Sequence, residues 1–79
     1  MNTRLTTLLA EVFQLRESEI KPDLQKYDVS SWDSLKQMDL VISLEKEYGI
    51  VLGIPDILRM ISVRDIISVL EDNGVELAN

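Results

Sequence analysis

Ser34 is the residue whose surroundings most suggest chemistry. It follows Asp33 and precedes Leu35 at the expected start of a helix. A nucleophilic serine needs a base within hydrogen-bond reach. The chain has neither histidine nor cysteine, so the commonest general base, the commonest metal ligand and every thiolate ligand are missing. Only a carboxylate or a lysine could activate Ser34, and no nucleophile elbow surrounds it. No acidic loop has calcium-binding spacing. Catalytic residues and metal ligands are therefore assigned to none of the side chains. Two roles remain for Ser34, capping the helix or carrying a modification. Asp33 already suits the N-cap, which frees the serine. A phosphodiester on a first-turn serine would sit at the positive end of the helix dipole, near unpaired backbone N–H groups. Asp33 would repel such a group modestly, so capping explains that residue better than electrostatics does.

The helix behind Ser34 must position it. Projected at about 100° per residue, Leu40, Val41, Leu44 and Tyr48 cluster as a core stripe. Lys36, Asp39, Ser43, Lys46 and Glu47 form a solvated face. Leu35, Met38 and Ile42 fall outside the core stripe, on a shoulder beside Ser34, with Glu45 between shoulder and core. Such a shoulder either packs beneath a loop or the next helix, or serves as a docking surface, since exposed apolar residues flanked by charge mark interaction sites.

Elsewhere, Leu5, Leu8, Leu9, Val12 and Phe13 repeat at helical spacing and predict a first helix from about Thr3 to Leu15. Residues 16–32 are polar and irregular, and Pro22 opposes a continuous helix there. Ile20, Leu24 and Val29 are expected to pin this long loop to the core, and a loop of that length is often functional. The second helix runs from about Ser34 to Tyr48, with Gly49 suited to the left-handed residue that ends it. Pro55 fits the first turn of a short third helix to about Met60. Ser62-Val63-Arg64-Asp65 resembles a capping box, and Val63, Ile66, Ile67 and Leu70 give the fourth helix its apolar face. Gly74 stops it, and Val75 to Asn79 is expected to be a loose tail. The expected fold is all-α: a four-helix bundle with three main helices, one short third helix and a long first loop.

The chain has 79 residues and opens on Met1, and residues 1–79 are expected to form one complete domain. Fourteen acidic residues against eight basic ones give a formal charge of −6. That balance opposes binding to nucleic acid or to an anionic membrane surface. A basic protein surface is the natural complement, although net charge also serves solubility alone. No secretory signal is visible, because the amphipathic pattern after Arg4 is broken by Glu11. No stretch approaches membrane-span length. The expected compartment is the cytoplasm, without membrane insertion.

Asp33-Ser34-Leu35, followed by an apolar helix ending in Leu44-Glu45-Lys46-Glu47-Tyr48-Gly49-Ile50, resembles an acyl carrier protein. The likeness covers nearly the whole chain, including the first amphipathic helix, the long loop, the spacing from Gly49 to Pro55, and Ile61-Ser62-Val63 before the last helix. The resemblance implies that Ser34 bears 4′-phosphopantetheine, donated from coenzyme A by a phosphopantetheinyl transferase, with Asp33 and Leu35 as the flanking motif. A protein without cysteine would then handle thioesters through a borrowed thiol. The family is not catalytic. It presents acyl intermediates to fatty-acid, polyketide or related biosynthetic enzymes, and the chain is expected to be a monomer. Leu35, Met38, Asp39, Ile42, Glu45 and Glu47 match positions that meet acyl-loading and acyl-processing enzymes, whose docking surfaces are basic. In some members the cargo enters the bundle, which implies a core that can part between helices. Lys36 and Lys46 depart from the acids common in fatty-acid-synthesis carriers, and Trp32 is frequent in specialised pathways. The resemblance therefore favours a discrete, pathway-specific carrier. An aminoacyl or peptidyl carrier and an unmodified helical interaction module are the alternatives.

Overall fold

A computed structural model describes residues 1–78; Asn79, the end of the expected tail, lies outside them. Four α-helices follow one another: α1 (Thr3–Phe13), α2 (Ser34–Tyr48), α3 (Ile54–Arg59) and α4 (Val63–Asp72). The architecture is the all-helical bundle that the periodicity predicts. Each main helix has a side-chain cap that satisfies an otherwise orphan N–H. Asn2 accepts from Leu5 N, Asp33 from Lys36 N and Ser62 from Asp65 N.

Leu5, Leu9 and Phe13 from α1, Leu40 and Leu44 from α2, and Val63, Ile66, Val69 and Leu70 from α4 form the core. Met60, just beyond α3, is also fully buried, whereas α3 itself buries no residue completely. The short helix is thus held by its ends and by half-buried Ile57. Among the described residues, no helix is long and apolar enough to cross a membrane.

Three boundaries differ from the periodic pattern. α1 stops at Phe13, two residues before Leu15, because Gln14 adopts a left-handed conformation with φ 57°. Leu15 N then bonds back to Ala10 O at 3.0 Å, and its side chain packs against the core. α3 begins at Ile54, with Gly53 in the capping position. The C-terminal segment is tethered: Val75 N donates to Leu70 O at 3.0 Å, and Asn2 Nδ2 donates to Leu77 O at 3.2 Å. Val75 and Leu77 pack on the core, so apolar burial and end-to-end bonding replace the looseness expected of residues 75–78.

The long loop has order of its own. It contains 3₁₀ turns at Glu17–Glu19 and Lys26–Asp28. Arg16 N–H donates to Glu19 Oε1 at 3.0 Å, and this bond holds the Glu19 carboxyl below the usual carboxylate range. Ile20 and Val29 are buried, and Leu24 is half-buried. Residues 22–26 then pair antiparallel with the lead-in to α4, centred on Gln25 and Ser62. Lys26 N donates to Ile61 O at 2.8 Å, Val63 N to Leu24 O at 2.9 Å and Arg64 N to Pro22 O at 3.0 Å. These bonds fix the loop across the bundle and deliver it to the start of α2.

Candidate functional site

Ser34 occupies the first position of α2 and is exposed. Asp33 Oδ1 accepts from Lys36 N at 2.8 Å, and Asp33 O accepts from Gln37 N at 2.8 Å. Asp33 therefore caps the helix, and the Ser34 hydroxyl is free of that task. The amides of Ser34 and Leu35 lie in the first turn, where an N–H has no intrahelical acceptor. An anion on Ser34 would meet these N–H groups and the positive end of a 15-residue helix. The residues present thus fit a phosphate-linked group on Ser34.

The segment before Ser34 is fastened from three sides. Ser31 Oγ donates to Phe13 O at 3.1 Å, at the end of α1. The Trp32 ring, 3% exposed, lies 4.3 Å from the Phe13 ring with 30° between their planes. Its Nε1 donates to Gln37 Oε1 at 2.5 Å. Gln37 Nε2 donates in turn to Ile57 O at 2.9 Å and Met60 O at 3.1 Å. This one buried carboxamide therefore links Trp32, α2 and the end of α3, using its acceptor and both its donor hydrogens.

Sequence reasoning missed Gln37. The signal was present: Gln37 shares the angular sector of Leu40 and Leu44, so it is a polar residue in a core register. Such a residue must find partners inside. A second omission is the exposed apolar surface of α3, a helix that the sequence does predict. Ile54 and Leu58 are 72% and 73% exposed, one turn apart on the same side of α3. Val51 before the helix and Ile61 beyond its end are exposed apolar residues too.

The structure divides the six residues grouped as a docking surface. Leu35 is 83% exposed, and Met38 and Ile42 are also exposed. Asp39 is exposed beside Lys36 Nζ at 3.5 Å, and with Ser31, Asp33, Leu35 and Lys36 it borders a hollow next to Ser34. Glu45 is half-buried, and its carboxylate accepts from Leu52 N at 2.8 Å. Its charge closes the turn after α2, so it does not stand free as the sequence grouping assumes. Glu47 faces α1: Arg4 Nε lies 2.6 Å from its carboxylate, and another Arg4 nitrogen donates to Glu47 O at 2.7 Å. Arg4 also covers the Tyr48 ring at 4.7 Å. Burial pushes the Tyr48 phenol above its usual range, which the nearby Arg4 cation only partly offsets. Among the described residues, no cluster of three or more acids could hold a metal ion.

Comparison with known proteins gives concordant matches. The family described as "Phosphopantetheine attachment site" matches residues 3–70. Acyl carrier protein 2 of Pseudomonas aeruginosa is 32% identical over 72 residues, which is 91% of each chain. The acyl carrier protein of Thermotoga maritima is 28% identical over 69 residues, 87% of this chain and 85% of the relative. The solution structure of a holo acyl carrier protein from Geobacter metallireducens superposes with a TM-score of 0.79 at 25% identity. It covers 90% of this chain and 82% of its own.

Proposed function

We propose Ser34 as the attachment point of the prosthetic group, from the premise that this chain belongs to the acyl carrier protein family. The protein is an acyl carrier, and 4′-phosphopantetheine is its prosthetic group. When bound, that group supplies a thiol on which acyl intermediates ride as thioesters. The observation that carries the assignment is the pairing of Asp33 and Ser34: one residue caps α2, and the next presents an exposed hydroxyl at the helix start.

The chain's own residues supply position. Trp32, Phe13 and Gln37 hold the preceding segment still. The first-turn amides of α2 complement the phosphate charge. Leu35 and Asp39, beside Ser34, together with Met38 and Ile42 along α2, offer an apolar surface with one acid for phosphopantetheinyl transferase and acyl-processing enzymes. Basic docking surfaces on those enzymes suit the −6 charge. We read residues 1–79 as one carrier domain that is not itself an enzyme, acts as a cytoplasmic monomer and serves a dedicated pathway. Lys36, Lys46 and Trp32 are the residues that favour a dedicated pathway.

Incubation with coenzyme A and a broad-specificity transferase, followed by intact mass measurement, tests the assignment. The wild type gains one phosphopantetheine, and Ser34→Ala gains none. A wild type that stays unmodified overturns it.

A further inference from the structure

Beside the carrier site lies a hollow of about 520 Å³, lined by Lys26, Tyr27, Val29, Ser30, Trp32 and Ile61. Small-molecule sites are commonly of this size, mostly apolar, with a few placed polar groups. We infer that this hollow cradles the cargo carried on Ser34, and that it selects an apolar acyl group whose free end is a carboxylate. The inference rests on the carrier reading.

The walls are built rather than incidental. Trp32 is fixed by its bond to Gln37 and its contact with Phe13. The facing sides are joined where Lys26 N donates to Ile61 O at 2.8 Å. Tyr27 and Ile61 remain 81% and 54% exposed at its edges, so apolar surface stands uncovered there. Trp32 precedes Ser34 by two residues, which limits their Cα separation to about 7 Å. A group tethered at Ser34 therefore samples the hollow at high effective concentration. The bundle interior, by contrast, is filled: Leu40, Leu44, Met60 and Ile66 have no exposed surface.

Charge specifies the free end of the cargo. Lys26 is half-buried at the hollow, and among the described residues no carboxylate pairs with it. Asp28, in the same turn, is committed to Gln25 N at 3.1 Å. Ser30 adds a hydroxyl to the lining. An unpaired cation at an apolar hollow, in a chain with net charge −6, fits an anionic end group.

The chain has one tryptophan, so its emission reports on this wall alone. Holo protein is compared with protein carrying non-hydrolysable analogues of equal length, one methyl-ended and one carboxylate-ended, after mass measurement places each on Ser34. Both analogues should shift Trp32 emission and the Ile61 methyl resonance. The carboxylate-ended one should shift them more, and Lys26→Met should remove that preference, which is up to about fivefold for an ion pair at a surface. Ile61→Asn, at an exposed edge, should weaken both responses without unfolding the chain. Shifts at Leu40, Leu44 and Ile66 instead would place the cargo in the core and overturn the inference. So would unchanged Trp32 emission, equal responses to the two analogues in the wild type, a preference for the carboxylate-ended analogue that survives Lys26→Met, or a response that appears only with a partner enzyme added. Analogues that cannot be loaded at Ser34 would overturn the carrier reading as well.

Discussion

Trp32 Nε1 donates to Gln37 Oε1 inside the helical core, and the same carboxamide grips the carbonyls of Ile57 and Met60. The residue two places before the carrier serine is thereby coupled to the far end of α3. A neutral polar network of this kind is fully satisfied, and it specifies one arrangement of the helices around Ser34.

Gln37→Leu should be costly despite its similar size. It leaves Trp32 Nε1 and Met60 O buried without partners, at about 1–3 kcal/mol each. Thermal unfolding followed by circular dichroism should show a midpoint lower by about 10 °C or more. A loss of only a few degrees would mean that the network contributes little. In a double-mutant cycle, Trp32→Phe and Gln37→Leu should be strongly non-additive.

Asp33→Ala should lower stability by about 1 kcal/mol, the usual worth of an N-cap, whereas Asp33→Asn should be nearly neutral because it keeps an acceptor for Lys36 N–H. The midpoint shift expected for the alanine variant is about 4–8 °C. Equal losses in the two variants would show that charge, not capping, is what Asp33 contributes.

The acids on α2 should separate by role. Asp39→Lys and Ile42→Asp alter exposed positions and should change stability by no more than about 0.5 kcal/mol, while slowing transfer to and from partner enzymes severalfold. Glu45→Ala should do the reverse, because it removes the acceptor of Leu52 N–H at about 1–3 kcal/mol. Stopped-flow transfer rates measured alongside urea unfolding would test this. Ile42→Asp losing several kcal/mol would put that residue in the core.

Tyr48 predicts a pH dependence. Its hydroxyl is buried without a hydrogen-bond partner among the described residues, and burial raises its pKa in the folded state. Above the ordinary phenol value of about 10, the unfolded chain releases this proton before the folded one does. Stability is therefore fully present below that range and is lost as pH rises through the folded value. Tyr48→Phe should flatten this alkaline decline, and at pH 7 it should be neutral or slightly stabilising. An alkaline decline unchanged in Tyr48→Phe would contradict the assignment.

Much of this organisation is legible in sequence where it depends on neighbours along the chain. Asp33 and Gly49 mark the ends of α2 because a cap and a left-handed residue are local devices. The helical angle sets Leu35, Met38 and Ile42 outside the stripe of Leu40 and Leu44, but only the structure shows that they are exposed rather than packed beneath a loop. What escapes is tertiary. Nothing near Gln25 announces its pairing with Ser62, and nothing in α2 says that Glu47 will be taken by Arg4 of α1. Gln37 stands between these cases. Its register shows that it is buried, but its partners lie in a separate segment. The motif is compatible with both capping and modification at Ser34, and family membership, not geometry alone, decides in favour of an attached cofactor.

The most direct test of the carrier assignment is tandem mass spectrometry of the peptide containing Trp32 to Lys36 after treatment with coenzyme A and a transferase. The predicted result is one phosphopantetheine localised to Ser34, lost in Ser34→Ala and retained in Ser31→Ala. Modification at Ser30, Ser31 or Ser43, or an unmodified peptide from protein shown to be folded, would contradict it.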